Sequence, residues 1–290
     1  MSYKFGNIDV YKIYKGSTLV YDVTPEPELQ AAIDRLISEG KTLLTESKLN
    51  AYNELIYDIK TGDATLWSAF KYFRMESFND LTGRDLSLIN LKNPTGAKAI
   101  PYGDANYTLN GWNTAGVNGY LDTGFNMNQL SLGGFSIVRG FNGDYSANPS
   151  TDEGVYTASP TRRILISPAY GVNSDKYTLN NTSATYVAGA NNGIKRLNSY
   201  ALVGSNKTIR RNNLTPSTVT SAPISPIING NYYENAANSS TGGVANYTSG
   251  TSFFIAFGSN ITDAQHSILI EKINIFLAKV GLTLIDTATL

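Results

Sequence analysis

NYTLNGWNTAGVNGYLDTGF, residues 106–125, decides the architecture. Two short strand-like runs, NYTLNGW (106–112) and GYLDTGF (119–125), flank a stretch of Asn, Thr and Gly that reads as a turn. The same grammar recurs in both directions along the chain: DLSLINL (85–91), FSIVRGF (135–141), RRILISP (162–168), KYTLNN (176–181), ATYVAG (184–189), NSYALVGS (198–205), KTIRR (207–211), PIING (226–230) and SFFIAFGS (252–259). From about residue 85 to 258, Asn, Gly, Ser, Thr and Tyr dominate, and charged residues fall to roughly a tenth against the quarter usual in globular domains. Many short strands with Asn/Gly turns and no intervening helices predict an antiparallel sandwich or jelly roll; a parallel sheet would alternate strands with helices.

The flanks differ. Residues 24 to about 75 are rich in Ala, Leu, Glu and Lys with apolar positions at helical spacing. Thr24 is expected to cap a helix opening at Pro25, with Leu29, Ile33, Leu36 and Ile37 on one face and Gly40 as its stop. A second helix is predicted from a Thr45 cap to Gly62, burying Leu49, Tyr52, Ile56 and Ile59, and a third around Leu66, Trp67, Phe70 and Phe73. At the other end, Thr262 and Gln265 spell a capping box ahead of an apolar stripe of Leu269, Ile273, Phe276, Leu277 and Val280, closed by Gly281. The resulting division is a hairpin over 1–23, a helical segment over 24–78, and a jelly roll with C-terminal helix over 79–290.

The opening VYKIYKGSTLVYD (10–22) reads as a β-hairpin turning at Gly16-Ser17. Val10 and Tyr14 project to one side, Tyr11 and Ile13 to the other, so both faces are apolar. Two strands cannot bury two such faces alone. Tyr11, Ile13, Tyr14, Val20 and Tyr21 are therefore expected to contact neighbouring subunits or a larger particle.

Composition excludes much. The 290 residues carry 23 basic and 23 acidic side chains and no cysteine. Disulfides and thiolate metal sites are ruled out, and folding in a cytoplasm is expected. The zero net charge, with Lys and Arg scattered, speaks against nucleic-acid binding. No apolar run approaches a membrane span, and Met1 is not followed by the apolar core of an export signal.

Catalytic constellations are thin. EGKT (39–42) lacks the glycine of a phosphate loop, since Arg35 stands in that place. His266, the single histidine, lies on the C-terminal helix away from any nucleophile elbow. Glycoside hydrolysis needs two placed carboxylates. The acids of the β region, among them Asp80, Asp122, Asp144, Asp175, Glu153 and Glu234, form no series along one strand face and read as turn or surface acids. No enzyme, cofactor or metal is expected. The loop FNGDYSANPSTDEG (141–154) offers oxygen ligands without EF-hand spacing.

What stands out is a surface chemistry: 19 tyrosines beside Asn-rich loops such as YTLNGWNTAGVNGY (107–120) and NGNYYENAANSSTGGVANY (229–247). Aromatic rings stack on sugar faces and amides bond sugar hydroxyls, which suits glycan adhesion. Trp112, Tyr232 and Tyr233 are the contacts expected.

Several stretches together resemble a family. GNIDVYKIYKGSTLVYD (6–22) resembles the opening of fibre and other virion proteins of tailed bacteriophages of Bacteroidota, including the crAss-like group. LNAYNELIYDIKTGDATLWSAFKYF (49–73) is similar to the helical segment that follows in such proteins. INLKNPTGA (89–97), GYLDTGF and IAFGSNITDAQHSILIEKINIFLAKVG (255–281) look like successive parts of their concanavalin A-like, laminin-G-type domain. The resemblance implies a concanavalin A-like jelly roll displayed on a head or tail fibre or appendage. It also implies a homotrimer joined to capsid or tail proteins by its N-terminal segment, assembled in the host cytoplasm and resident in the virion. Enzymatic cousins carry an acidic strand motif absent here. Adhesion to host surface carbohydrate is the expected activity; capsule depolymerisation by a jelly-roll enzyme, or a bacterial lectin-like surface protein, are the alternatives.

Overall fold

A computed structural model of the chain describes residues 12–15, 18–22, 25–142, 153–158, 161–167, 174–182, 184–188, 195–212, 214–239 and 243–286. Among these residues the strands form two large sheets and a separate hairpin, in which Lys12–Lys15 pairs antiparallel with Thr18–Asp22.

The eight-stranded sheet runs from the edge strand Ser217–Thr220 through Asn206–Arg211, Arg196–Val203, Gly134–Phe141, Ser249–Gly258 and Gly111–Ala115 to Asn106–Thr108. The long strand Ser249–Gly258 is shared on its far side. Ser249–Ser252 pairs with Gly111–Ala115, and Phe254–Gly258 pairs with Phe70–Met75. The nine-stranded sheet runs through Thr185–Ala188, Ser174–Asn181, Thr161–Ser167, Glu153–Ala158, Asn231–Glu234, Tyr120–Asn126 and Ile100–Tyr102. Ala237–Ser239 joins it parallel to Glu153–Ala158. The expected jelly-roll sandwich, mainly β with a C-terminal helix, is what the chain forms.

Alternation along the strands sorts the layers. Phe135, Ile137, Phe141, Tyr200, Leu202, Ile255 and Phe257 of one sheet meet Phe125, Val155, Ile164, Ile166, Tyr177, Leu179 and Tyr232 of the other in the inter-sheet core. Their neighbours Val138, Leu197, Phe254 and Ala256 face outward, onto helices Pro27–Ser38, Glu46–Gly62 and Asp263–Lys279. Leu29, Ile33, Leu36, Leu49, Tyr52, Ile56, Ile59, Leu269, Ile273 and Phe276 complete that second cluster. Each such buried aliphatic side chain contributes about 2 kcal/mol of transfer free energy. The outer face of the eight-stranded sheet is thus roofed by helices.

The helix ends follow local chemistry. Thr262 accepts from Gln265 N while the Gln265 side chain accepts from Thr262 N, the expected capping box. Gly40 (φ +66°) and Gly281 (φ +76°) adopt the left-handed conformation that closes a helix, each followed by a backbone bond back to the last turn, Lys41 N to Leu36 O and Leu282 N to Leu277 O. The first helix starts later than expected, at Pro27, because Glu26 is pinned by donating its N–H to Asn53 Oδ1 at 2.6 Å.

Three elements differ from the sequence reading. The third helix ends at Ala69, and Phe70–Met75 is a strand, because pairing with Ser249–Gly258 outweighs local helical periodicity. DLSLINL forms no strand: it opens within the α turn Arg84–Ser87, which follows the 3₁₀ turn Leu81–Gly83 that Asp80 starts by accepting from Thr82 N at 3.0 Å. PIING forms no strand: Ile228 N donates to Asn180 Oδ1 at 3.0 Å, and Ile227 and Ile228 plug the inter-sheet core.

Candidate functional site

The second outer face, that of the nine-stranded sheet, carries the aromatic surface. On Tyr120–Asn126, Leu121, Thr123 and Phe125 point inward, which sends Tyr120 and Asp122 out. On Asn231–Glu234, Tyr232 and Glu234 are buried and Asn231 and Tyr233 face out. On the edge strand Ile100–Tyr102, register places Tyr102 opposite Tyr120 and Ile100 opposite Asp122. Tyr233 also stands opposite Asp122, so three adjacent strands bring three rings into line.

Tyr102 stacks on Tyr120 with centroids 4.8 Å apart and planes at 12°. Tyr120 in turn stacks on Tyr233 at 4.7 Å and 24°. Tyr247 approaches Tyr120 at 6.3 Å and 47°. Tyr120 therefore spends both ring faces on its neighbours, while Tyr102, at the end of the row and 42% exposed, spends one. The row is rigid for a physical reason: each ring is fixed by a strand and by its stacking partner.

Polar groups are fixed beside the rings. Asp122 accepts from Gly124 N at 2.9 Å and from Asn231 Nδ2 at 3.1 and 3.4 Å. Gly124 adopts φ +67°, which lets the backbone turn back onto that carboxylate. Asn231 O accepts from Asn238 Nδ2 at 2.8 Å. Burial, followed by the charge of Asp122, pushes the Tyr233 phenol up to about 12, and burial raises Tyr120. Both hydroxyls stay protonated at neutral pH and can donate as well as accept.

The residues singled out from sequence divide. Tyr233 lies in the row. Tyr232, one position away, is fully buried and donates its hydroxyl to Glu153 Oε1 at 2.9 Å. Trp112 is also fully buried, its indole N–H donating to Ser87 Oγ at 2.9 Å and its ring edge-on to Tyr107 at 5.4 Å. Strand alternation removes both from any surface. Tyr102, Tyr120 and Asp122 were missed as a group. Their signal was the parity of each strand combined with cross-strand register, and register is not written in any one segment. Of the expected docking residues, Tyr11 and the side chains of Ile13, Tyr14, Val20 and Tyr21 lie outside the described residues, although the strands pair Ile13 with Tyr21 and Tyr14 with Leu19. Most of the 141–154 loop lies outside them too. Among the described residues no group of three His, Cys, Asp or Glu side chains is arranged to hold a metal, and no helix is long and apolar enough to cross a membrane.

Asp80 does start a turn and Asp122 does lie at the surface, but Glu153, Glu234 and Asp175 are buried. Glu76, Glu153 and Glu234 are all fully buried with Arg74 and Arg139 between the sheets. Arg139 Nε donates to Glu153 Oε1 at 2.7 Å and Nη2 to Glu153 Oε2 at 2.9 Å, while Nη1 reaches Glu234 Oε2 at 3.0 Å. Arg74 Nη1 donates to Glu234 Oε1 at 2.6 Å, Nη2 lies 2.7 Å from Glu76 Oε1, and Nε donates to Ser87 O at 2.7 Å. Ser252 hydrogen-bonds Glu76. Burial and the neighbouring Glu234 carboxylate push Glu76 up to about 8, whereas the two guanidiniums and a hydrogen bond from Glu76 hold Glu234 low despite its burial. Burial and the adjacent Glu234 charge thus favour the protonated form of Glu76, while the two guanidiniums favour the charged form of Glu234. Asp175, likewise fully buried, lies 3.7 Å from Arg196 and 3.8 Å from Arg211. His266 is buried with Nε2 2.9 Å from Asn212 O, and desolvation pushes it down to about 4.

No protein-family model and no curated protein matches the chain. Solved structures do share its fold. The Trypanosoma rangeli sialidase in complex with sialic acid superposes with a TM-score of 0.55 at 12% identity, covering 79% of this chain and 39% of that one. The same sialidase in complex with 2,3-difluoro-KDN gives 0.53 at 11% identity over 81% and 40%. A mutant displaying trans-sialidase activity gives 0.50 at 12% over 81% and 40%. This chain spans about two fifths of the length of those sialidases, and at such identity the likeness is one of fold.

These findings correct the expectation that the chain is not an enzyme. That expectation rested on scattered turn acids and a missing acidic motif. Solved structures that share the fold include sialidases, and Glu153 and Glu234 prove to be buried in one cluster with two arginines. The exclusion of catalysis is withdrawn, and no activity is thereby assigned.

Proposed function

We propose that this chain is a carbohydrate-binding β-sandwich carried on a bacteriophage appendage, with the outer face of the nine-stranded sheet as its ligand surface. The observation that carries the reading is the row of Tyr102, Tyr120 and Tyr233 across three strands, with Asp122 and Asn231 beside it. Phenol hydroxyls, an amide and a carboxylate supply the donors and acceptors that sugar hydroxyls need, and the ring of Tyr102 supplies an apolar platform. The opposite outer face is roofed by helices, which leaves this one for a partner. The sialidase likeness supports the sandwich as a scaffold.

The virion setting is supported by the ordered sequence resemblance. In it, the 1–23 hairpin docks a homotrimer to capsid or tail proteins while the sandwich faces host surface carbohydrate. Immunogold labelling of intact phage particles tests that setting, and label absent from particles made in the same host overturns it.

For the ligand face, a glycan array of the purified chain is expected to give discrete positives. Tyr102→Ala should weaken them roughly tenfold, the equivalent of about 1.4 kcal/mol, while leaving thermal unfolding unchanged. An array silent for the native chain, or positives indifferent to both Tyr102→Ala and Tyr233→Ala, would refute the assignment. Sugar released from the same panel would show turnover in addition to binding.

A further inference from the structure

We infer that the tyrosine face selects uncharged glycans and rejects those bearing carboxylate or sulfate groups, with Asp122 as the discriminating residue. The inference rests on the carbohydrate-binding reading above and narrows its ligand class.

Asp122 lies beside the row, two residues along the strand from Tyr120 and opposite both Ile100 and Tyr233 in register. Its charge is felt there: it contributes to raising the phenols of Tyr233 and Tyr120. Its position is fixed by the Gly124 N–H and the Asn231 amide, both neutral donors. Oδ1 takes the two short bonds, at 2.9 and 3.1 Å, and Oδ2 a single long one at 3.4 Å. A carboxylate has room for about four donors, so Oδ2 retains acceptor capacity. No salt bridge to Asp122 is formed among the described residues, and Asp122 is half-buried.

An uncompensated, immobile carboxylate within a face of neutral phenols has two consequences. It accepts hydrogen bonds from sugar hydroxyls, and charge-assisted bonds of this kind are stronger than neutral ones. It also repels an anionic ligand: two like charges about 5 Å apart change affinity by about fourfold at the dielectric of bulk water and by more than roughly a hundredfold at the effective dielectric near a protein surface, so at least about tenfold is expected on this half-buried face. This sets the face apart from the sialic acid held by the sialidase of similar fold.

The test is titration calorimetry of the full chain with matched pairs from the array, a neutral oligosaccharide and its sialylated or uronate-capped counterpart. The native chain should bind the neutral member at least tenfold tighter. Asp122→Asn should bring the pair within about twofold, chiefly by strengthening the acidic member. As a measurement independent of any variant, raising NaCl from 20 to 300 mM should narrow the native ratio by screening the repulsion, with little effect on the neutral glycan. Equal or reversed preference, or a ratio unmoved by both Asp122→Asn and salt, overturns the selectivity while leaving the binding face standing. If no member of any pair binds, the binding reading and this inference fall together.

Discussion

Raising the pH from 6.5 to 8 should destabilise the folded chain through a single buried carboxyl. Glu76, just past the strand Phe70–Met75, is packed among Arg74 from that strand, Arg139 from Gly134–Phe141, Glu234 from Asn231–Glu234 and Ser252 from Ser249–Gly258, with Glu153 on the far side of Arg139. Its folded pKa is pushed up to about 8 from 4.5. Between those values the folded chain holds one proton more than the unfolded chain. Stability is therefore greatest below pH 4.5 as far as Glu76 is concerned, and is lost as pH rises to 8, at about 1.4 kcal/mol per unit.

Other buried groups titrate at the edges of this window. His266, pushed down to about 4, makes stability rise with pH up to 6.5. Asp175, pushed up to about 6, acts in the opposite sense below that value. Lys195, lowered to about 8 by burial, adds stability with rising pH from the top of this window upward. From 6.5 to 8 Glu76 dominates: the opposing half-titrations of His266 at 6.5 and Lys195 at 8 leave a net loss of about 1 kcal/mol out of the about 2 kcal/mol lost at Glu76 itself. Urea unfolding at pH 6.5, 7.2 and 8.0, followed by the fluorescence of the buried Trp67 and Trp112, measures it. Glu76→Gln, a neutral isostere, should remove the downward slope, so the variant gains on the native chain by the Glu76 share across the window. A native chain whose stability is flat or rising from 6.5 to 8, or a Glu76→Gln chain that keeps the slope, would refute the upward shift of Glu76.

Other outcomes follow from the packing. Trp112→Ala should cost about 3–5 kcal/mol in urea unfolding, as a large aromatic removed from a core. Thr262→Ala should cost about 1 kcal/mol by removing the capping-box acceptor, read as a lower unfolding midpoint. Gly258→Ala places a methyl 2.0 Å from Ala69 O, where Phe70–Met75 joins the sheet. Its expected result is loss of soluble folded protein, and a native-like circular dichroism melt would contradict the backbone approach at that bulge.

Much of the fold was legible because its signals are local. Alternation and Asn/Gly turns marked the strands, and Thr262, Gln265, Gly40 and Gly281 marked helix ends through bonds made within a few residues. Phe70–Met75 was misread because its strand state depends on a partner nearly two hundred residues away. The same distance dependence hid the site. Tyr232 and Tyr233 are chemically equal in the sequence, and only the side of the sheet that packs on Phe257 makes the first a core residue and the second a surface one.

By itself, then, the amino-acid order determined the element types, the cysteine-free and charge-balanced composition, and an aromatic, amide-rich β region. Tertiary structure decided which tyrosines align, that Glu76, Glu153 and Glu234 converge on two arginines, and which sheet face the helices cover. Side-chain period is local, while register and layer order come from pairing between distant strands, where burial selects one alignment and excludes the rest.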